Sequence, residues 1–196
     1  MFAKPLAYTT PYAWFFWLVF LFSFVPEFGV LSRSRPDNGE NTDRGSTAVI
    51  VVAGWIGMFS AFAVAAVPMF VAQRGQKAWF VAGLVSLLAG TTIRRHCWRM
   101  LGQYFTGQVR TAEDQPVIQN GLYRWVRHPS YTGGMLMYVG TGLALTNWLS
   151  VLLTTIPPLA AYLYRVRVEE RALVASLGPR YEDYMRRTKR FVPFLI

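Results

Sequence analysis

Residues 133–164 read GGMLMYVGTGLALTNWLSVLLTTIPPLAAYLY, 32 positions without one Asp, Glu, Lys, Arg or His. The polar pair Thr146-Asn147 divides the run into Gly133–Leu145 and Trp148–Tyr164. Neither half reaches the roughly 20 residues of a comfortable bilayer crossing, so the spacing predicts two short helices in a tight hairpin. Three more apolar blocks precede it: Tyr12–Leu31, Thr47–Ala72 and Ala78–Ile93. Hydrophobic residues make up 53% of the 196 and charged residues 15%, where a soluble domain carries about 25% charged. So much continuous apolar surface cannot be buried in one water-soluble core of this size. Soluble globular and disordered classes are excluded. The expectation is an all-α, polytopic integral membrane protein with about five transmembrane helices.

The charges say how such a protein sits. The net charge is +10, from 20 Lys and Arg against 10 Asp and Glu. In a soluble chain this would suggest nucleic acid, but here the cations cluster beside the apolar blocks. With five spans, Lys4, Arg74 and Lys77 fall on one side. Arg33, Arg35, Arg44, the six arginines from Arg94 to Arg127 and the eight basic residues from Arg165 onward fall on the other. The positive-inside rule makes the crowded side cytoplasmic, with the N-terminus outside and the C-terminus inside. Arginines outnumber lysines 17 to 3, a bias of GC-rich genomes that suggests a bacterial cell, and hence its inner membrane. The first run has no Lys or Arg between Pro5 and Leu31 and no small-residue cleavage site after it, so it reads as a retained span.

Residues 1–98 are expected to hold three spans, and residues 99–196 the half that carries chemistry: a connector over 99–131, the hairpin over 132–164 and cytoplasmic helices over 165–196. The second apolar block is long enough to cross with tilt. Its Gly54, Gly57, Ser60, Ala61 and Ala65 recur on helical spacing and predict a close helix contact. The third block is only 16 residues, so Arg94 and Arg95 are expected to snorkel at its inner end. The connector is longer than an ordinary loop, and Tyr104, Phe105, Tyr123 and Trp125 within it argue for order. Gly178-Pro179 should end the last long helix and start another, whose basic stretch Arg180–Arg190 suits a lipid surface. Gly140-x-Gly142 lacks the preceding strand of a dinucleotide fingerprint and reads as helix packing. Cys97, the one cysteine, forms no intrachain disulfide and reads as a small interfacial residue. With two histidines beside it, ligands are too few for structural zinc, and no metal is expected.

Two clusters stand out for chemistry. In Arg165-Val166-Arg167-Val168-Glu169-Glu170, Arg165 and Glu169 are four apart and share a helix face. Ionisable groups at a membrane boundary are costly unless paired or functional. In the stretch from Tyr123 to Tyr131, Pro129 biases His128 to an extended backbone and holds a titratable ring at a helix start. Asn120-Gly121 just before it is a turn signal. No Asp or Glu lies between Asp43 and Glu113, or between Asp114 and Glu169, which leaves no carboxylate relay for proton or cation transport.

These residues resemble a known family. Gly121-Leu122-Tyr123, then Arg127-His128-Pro129-Ser130-Tyr131 and Gly133, then Arg165, Glu169-Glu170, Gly178, Tyr181, Tyr184 and Pro193 are similar to the pattern of the isoprenylcysteine carboxyl methyltransferase family. Leu101-Gly102 and Phe105-Thr106 fit that family's connector. The resemblance covers Leu101 to about Phe194, and the first three spans match only in character. It implies a membrane enzyme that moves a methyl group from S-adenosyl-L-methionine to a lipophilic acceptor entering from the bilayer, foremost the carboxylate of an isoprenylcysteine-like substrate. It implies Arg165 and Glu169 as the catalytic pair, with Gln115, Val117, Gly121, Tyr123, His128, Pro129, Tyr131 and Glu170 around the cofactor. Gln115 departs from the pattern, which usually has His six residues before the glycine; Gln replaces one hydrogen bond but not a positive charge.

A carboxylate is already ionised at neutral pH. Its attack on a sulfonium methyl needs alignment and partial desolvation, not a general base. Arg165 is therefore expected to dock it in a bidentate manner. A thiol or amine would require a base, for which Glu169 or His128 would serve. Two other readings stay open at this level. Sterol-reductase-type membrane enzymes that use NADPH share an Arg-His-x-x-Tyr pattern, but usually follow it with Gly-Asp where this chain has Thr132-Gly133-Gly134. The other is a non-enzymatic membrane assembly protein.

Overall fold

The computed structural model describes residues 4–31, 40–111 and 115–192; Arg33 and Arg35 of the charge argument and Pro193 of the family pattern lie outside them. Among the described residues, five long helices carry the fold: α1 (Tyr12–Leu31), α2 (Ser46–Val64), α3 (Gln76–Leu101), α4 (Pro129–Ala144) and α5 (Trp148–Leu177). A short α6 (Pro179–Arg187) follows, and one two-residue pairing joins β1 (Glu40–Asn41) to β2 (Arg110–Thr111), antiparallel. Tyr12–Val30, Ser46–Val64 and Trp148–Leu177 are long and apolar enough to cross a membrane. The chain is an integral, multi-pass, all-α membrane protein.

α4 and α5 make the expected hairpin. Its turn is fixed by Asn147, whose side chain accepts from the Ser150 backbone N–H (3.0 Å) and donates to the Val64 and Ala65 carbonyls (3.1 Å each). The hairpin turn thereby satisfies the last carbonyls of α2 as well as the first amide of α5. The second apolar block makes a helix of 19 residues, still long enough to cross, and not one helix over its whole length. Pro68 cannot donate a helical hydrogen bond and pushes Val67 out of the α region, so Pro68–Phe70 forms a separate 3-10 turn.

Small residues set the closest seams. A β-carbon on Gly90 of α3 would lie 2.4 Å from the Gly133 carbonyl oxygen of α4, and one on Gly57 of α2 would lie 2.5 Å from the Leu153 oxygen of α5. The predicted small-residue face of α2 therefore meets α5, where the Ser150 hydroxyl also donates to the Ala61 carbonyl (2.8 Å). Gly140 packs on α3 and Gly142 on α5, as helix packing requires. By contrast, α1 and α2 meet through rings, Phe16, Trp17 and Phe20 against Phe62 at one end and Phe28 against Trp55 at the other.

The C-terminal segment departs from expectation. Tyr181 and Tyr184 of α6 are buried with Leu177, against Val117 and Leu173, and the Tyr184 hydroxyl donates to the Tyr123 carbonyl (2.7 Å). The apolar side of Arg180–Arg190 is thus taken up by the connector, not by a lipid surface, because its tyrosines gain both burial and a hydrogen bond there. Beyond α6 the chain pairs back on the start of α4: the Arg127 and His128 amides donate to the Lys189 and Arg190 carbonyls (2.9 and 3.0 Å).

Candidate active site

A cavity of about 360 Å³ lies among all six helices, α1 to α6, and the connector. Arg94, Tyr131, Arg165 and Glu169 stand at its polar end, and Phe24, Val51 and Met58 line an apolar limb. Leu21, Val25 and Phe28 of α1 and Trp55 of α2 also line it and are 43–55% exposed, so the limb opens between α1 and α2. Both the first 98 residues and the remainder contribute walls. Of the residues singled out from sequence, Gln115, Val117, Tyr123, His128, Tyr131, Arg165 and Glu169 line the cavity.

Gly121, Pro129 and Glu170 sit behind that lining. Gly121, at φ +56, opens the 3-10 turn Gly121–Arg124 that aims Tyr123 inward. Pro129 is the first residue of α4; His128 before it, at φ −125 and ψ 52, stays out of the helical region but does not reach the extended backbone expected of a residue preceding proline. Glu170 faces away from the cavity and gathers two arginines, Arg127 (2.7 Å) and Arg190 (2.8 Å), and the His128 ring (3.2 Å). It is the acid that ties the C-terminal segment to the start of α4.

Arg165 is buried but not paired with Glu169, four residues away. Its Nε donates to the Tyr131 hydroxyl (3.1 Å), Nη2 to the Gly107 carbonyl (2.8 Å), and Nη1 to Asp43, Ser46 (3.0 Å) and Thr47 (2.8 Å). Asp43 already holds its guanidinium, so the bidentate docking expected of Arg165 is not available in this geometry. Burial opposes ionisation of Asp43, but the Thr47 and Val109 amides, the Thr47 hydroxyl and the Arg165 charge prevail and hold its carboxyl below the ordinary value. Glu169 instead accepts from the Tyr131 hydroxyl (2.7 Å). Tyr131 therefore bridges the two residues, accepting from one and donating to the other.

Sequence reasoning missed two acids and misjudged one arginine. Arg94 does not snorkel: it is buried, its Nε donates to Glu27 of α1 (2.7 Å), its Nη2 pairs with the same carboxylate, and Nη1 donates to the Ser130 hydroxyl (3.0 Å). A charge with a partner in the bundle has no need to reach for the interface. Glu27, the one acid inside the first apolar block, was the available signal. Arg95 does take the surface route, lying 3.9 Å above the Phe22 ring. Cys97 is fully buried inside the protein; burial pushes its thiol up, only partly opposed by Tyr123 and Arg94. Among the described residues no group of three or more His, Cys, Asp or Glu is placed to hold a metal.

Residues 81–175 match the model of the Isoprenylcysteine carboxyl methyltransferase (ICMT) family. Over that segment the chain is similar to the ICMT family. A rice protein (Oryza sativa subsp. indica) named "Probable protein-S-isoprenylcysteine O-methyltransferase" is 36% identical over 121 residues, 60% of this chain and 63% of the relative. The protein-S-isoprenylcysteine O-methyltransferase of Saccharomyces cerevisiae is 30% identical over 117 residues, 59% of this chain and 49% of the relative. The chain thus spans less than two-thirds of the length of these curated relatives. Among solved structures, the eukaryotic intramembrane Ras methyltransferase ICMT has a TM-score of 0.53 and 24% identity, covering 93% of this chain and 63% of that one; the two share a fold. These relatives are eukaryotic and lend no support to a bacterial inner membrane, to the orientation of the termini or to a reductase. The ICMT-matching segment contains Arg94, Tyr131, Arg165 and Glu169, but neither Glu27 nor Asp43.

Proposed function

We propose that this chain is an ICMT-family enzyme: a membrane-embedded, S-adenosyl-L-methionine-dependent methyltransferase whose acceptor is the carboxylate of an isoprenylcysteine-like lipid. The observation that carries the reading is the cavity itself, with two guanidinium groups and an acid at one end and an apolar limb opening between α1 and α2 at the other. A hydrocarbon chain fits the limb, and a carboxylate head fits the arginines.

The residues present also suit the cofactor. Among the described residues, Glu169 forms no ion pair and accepts only from the Tyr131 hydroxyl, which fits a group bearing sulfonium and ammonium charges. Gln115, Val117, Tyr123 and His128 on the connector side would hold that cofactor, and the inward rings of Tyr181 and Tyr184 would flank its base. When bound it supplies an electrophilic methyl group.

Arg165 and Arg94 each keep N–H capacity beyond their chain acids and would aim the acceptor carboxylate. Tyr131 fixes the spacing between the Arg165 side and the Glu169 side. No proton needs to move, because a carboxylate is ionised at neutral pH, so Glu169 acts as a cation holder and not as a base. The seventeen-to-three arginine bias and the cation distribution support placing the connector and C-terminus in the cytoplasm, with the N-terminus outside, in a bacterial inner membrane.

The test is methyl transfer by the detergent-purified chain from labelled S-adenosyl-L-methionine to N-acetyl-S-farnesylcysteine and to its carboxamide. Transfer to the acid alone, lost in Arg165→Ala and in Glu169→Ala, is expected. Transfer to neither compound, or full activity in both variants, would overturn the reading.

A further inference from the structure

Asp43 lies outside the ICMT-matching segment and does not itself line the cavity, yet it holds Arg165, which does. It is buried, and its carboxylate pairs with Nη1 of the equally buried Arg165. The Ser46 hydroxyl (3.0 Å) and the Val109 amide (3.1 Å) donate to one oxygen, and the Thr47 amide (3.1 Å) donates to the other. Three segments thus converge on one carboxylate: the start of α2, the connector and α5.

The backbone is bent to deliver it. Arg44 at φ +48 and Gly45 at φ +74 both take the left-handed region, and the Ser46 amide closes the turn on the Asp43 carbonyl (2.9 Å). A non-glycine residue in that region is strained and persists where its surroundings over-determine it. α5 helps to hold the turn, since the Tyr164 hydroxyl donates to the Arg44 carbonyl (3.2 Å).

The consequence lies in what remains of Arg165. A guanidinium has five N–H donors. Nε–H serves Tyr131, both Nη1 hydrogens face Asp43, Ser46 and Thr47, and one Nη2 hydrogen serves Gly107. Among the described residues, one Nη2 hydrogen is without a partner. Freed from Asp43, the same group would present the fork that binds a carboxylate through both oxygens.

We propose that Asp43 is a positioning residue that occupies the fork of Arg165, so that the acceptor carboxylate is held through one oxygen and keeps the other available to attack the methyl group. This rests on the carboxylate-acceptor reading above. Removing the charge of Asp43 then tightens carboxylate binding while slowing turnover, a pairing that simple loss of structure does not produce.

The test is calorimetric affinity of the full chain for N-acetyl-S-farnesylcysteine and for its methyl ester, which shares the lipid but not the charge. S-adenosylhomocysteine binding serves as the folding control. In Asp43→Asn the acid is expected to bind at least 10-fold tighter than to wild type, with the ester unchanged and kcat for the acid lowered. Ser46→Ala/Thr47→Val, which keeps Asp43 but loosens its grip, should move the acid-to-ester ratio about 3-fold the same way, and serves if Asp43→Asn fails to fold. An unchanged ratio in the folded variants overturns the role of Asp43 alone. Binding of neither compound to wild type overturns the acceptor reading and this proposal with it.

Discussion

Along α3 and α4, glycines at 83, 90, 133 and 140 bring backbone against backbone, whereas across α1 and α2 the facing residues are rings: Phe16, Trp17, Phe20 and Phe62 at one end, Phe28 and Trp55 at the other. Both pairs are apolar, so hydrophobicity does not separate them. Side-chain size does. Small residues let helices close through dispersion contacts, and large rings hold them apart and leave the limb of the cavity between them. The polar end begins where the closed pair runs out: Arg94 is one turn beyond Gly90, and its Nη1 donates to Ser130 at the start of α4.

The contrast breaks most severely at the closed seam. In Gly90→Leu the first added carbon alone would lie 2.4 Å from the Gly133 oxygen, and backbone cannot yield as a side chain does. Overpacking of this kind costs about 3 kcal/mol or more, and the thermal midpoint in detergent should fall steeply; an unchanged midpoint contradicts the seam. Next is the ion pair at the junction. Glu27→Ala strands a buried guanidinium and should cost about 3 kcal/mol, while Glu27→Ala/Arg94→Met should recover most of that midpoint by removing the stranded charge. Failure of the double variant to recover would mean that Glu27 holds the fold by something other than Arg94.

Glu169 and Glu170 sharpen the comparison within one helix turn. They point about 100° apart on α5, the first into the cavity and the second into Arg127, His128 and Arg190. Glu170→Gln should cost about 2 kcal/mol through weakened charged hydrogen bonds. Glu169→Gln should leave the midpoint in place and remove turnover; the reverse pattern would exchange their roles. The smallest effect is expected in the open pair. Phe28→Ala, in a half-exposed ring, should move the midpoint by about 0.5 kcal/mol or less. It should raise turnover of a geranylgeranyl acceptor relative to a farnesyl one, and an unchanged ratio would place the opening elsewhere.

Local pattern carried a good part of this architecture. The hairpin followed from 32 residues without charge divided by Thr146-Asn147, and a close contact of α2 from small residues on helical spacing, though not that α5 is the partner. What local pattern could not carry was long-range pairing. Arg94 and Glu27 are 67 positions apart, and Arg165 and Asp43 are 122 apart, so the cation alone gave no sign of whether it met water or an acid. Arg165 and Glu169 share a helix face as their spacing predicts, but Tyr131 stands between them and Asp43 outcompetes Glu169 for the guanidinium. The inward turn of α6 was likewise hidden, because an amphipathic helix looks the same whether lipid or a connector covers its apolar side.

The central claim, that the polar end of the cavity binds a sulfonium cofactor beside Glu169, is tested most directly by calorimetry of S-adenosylhomocysteine and NADPH with the detergent-purified chain and its Glu169→Gln variant. The account predicts one-site binding of S-adenosylhomocysteine, no heat from NADPH, and affinity weakened at least 10-fold in the variant. Binding of NADPH alone, or S-adenosylhomocysteine affinity indifferent to Glu169, would contradict it.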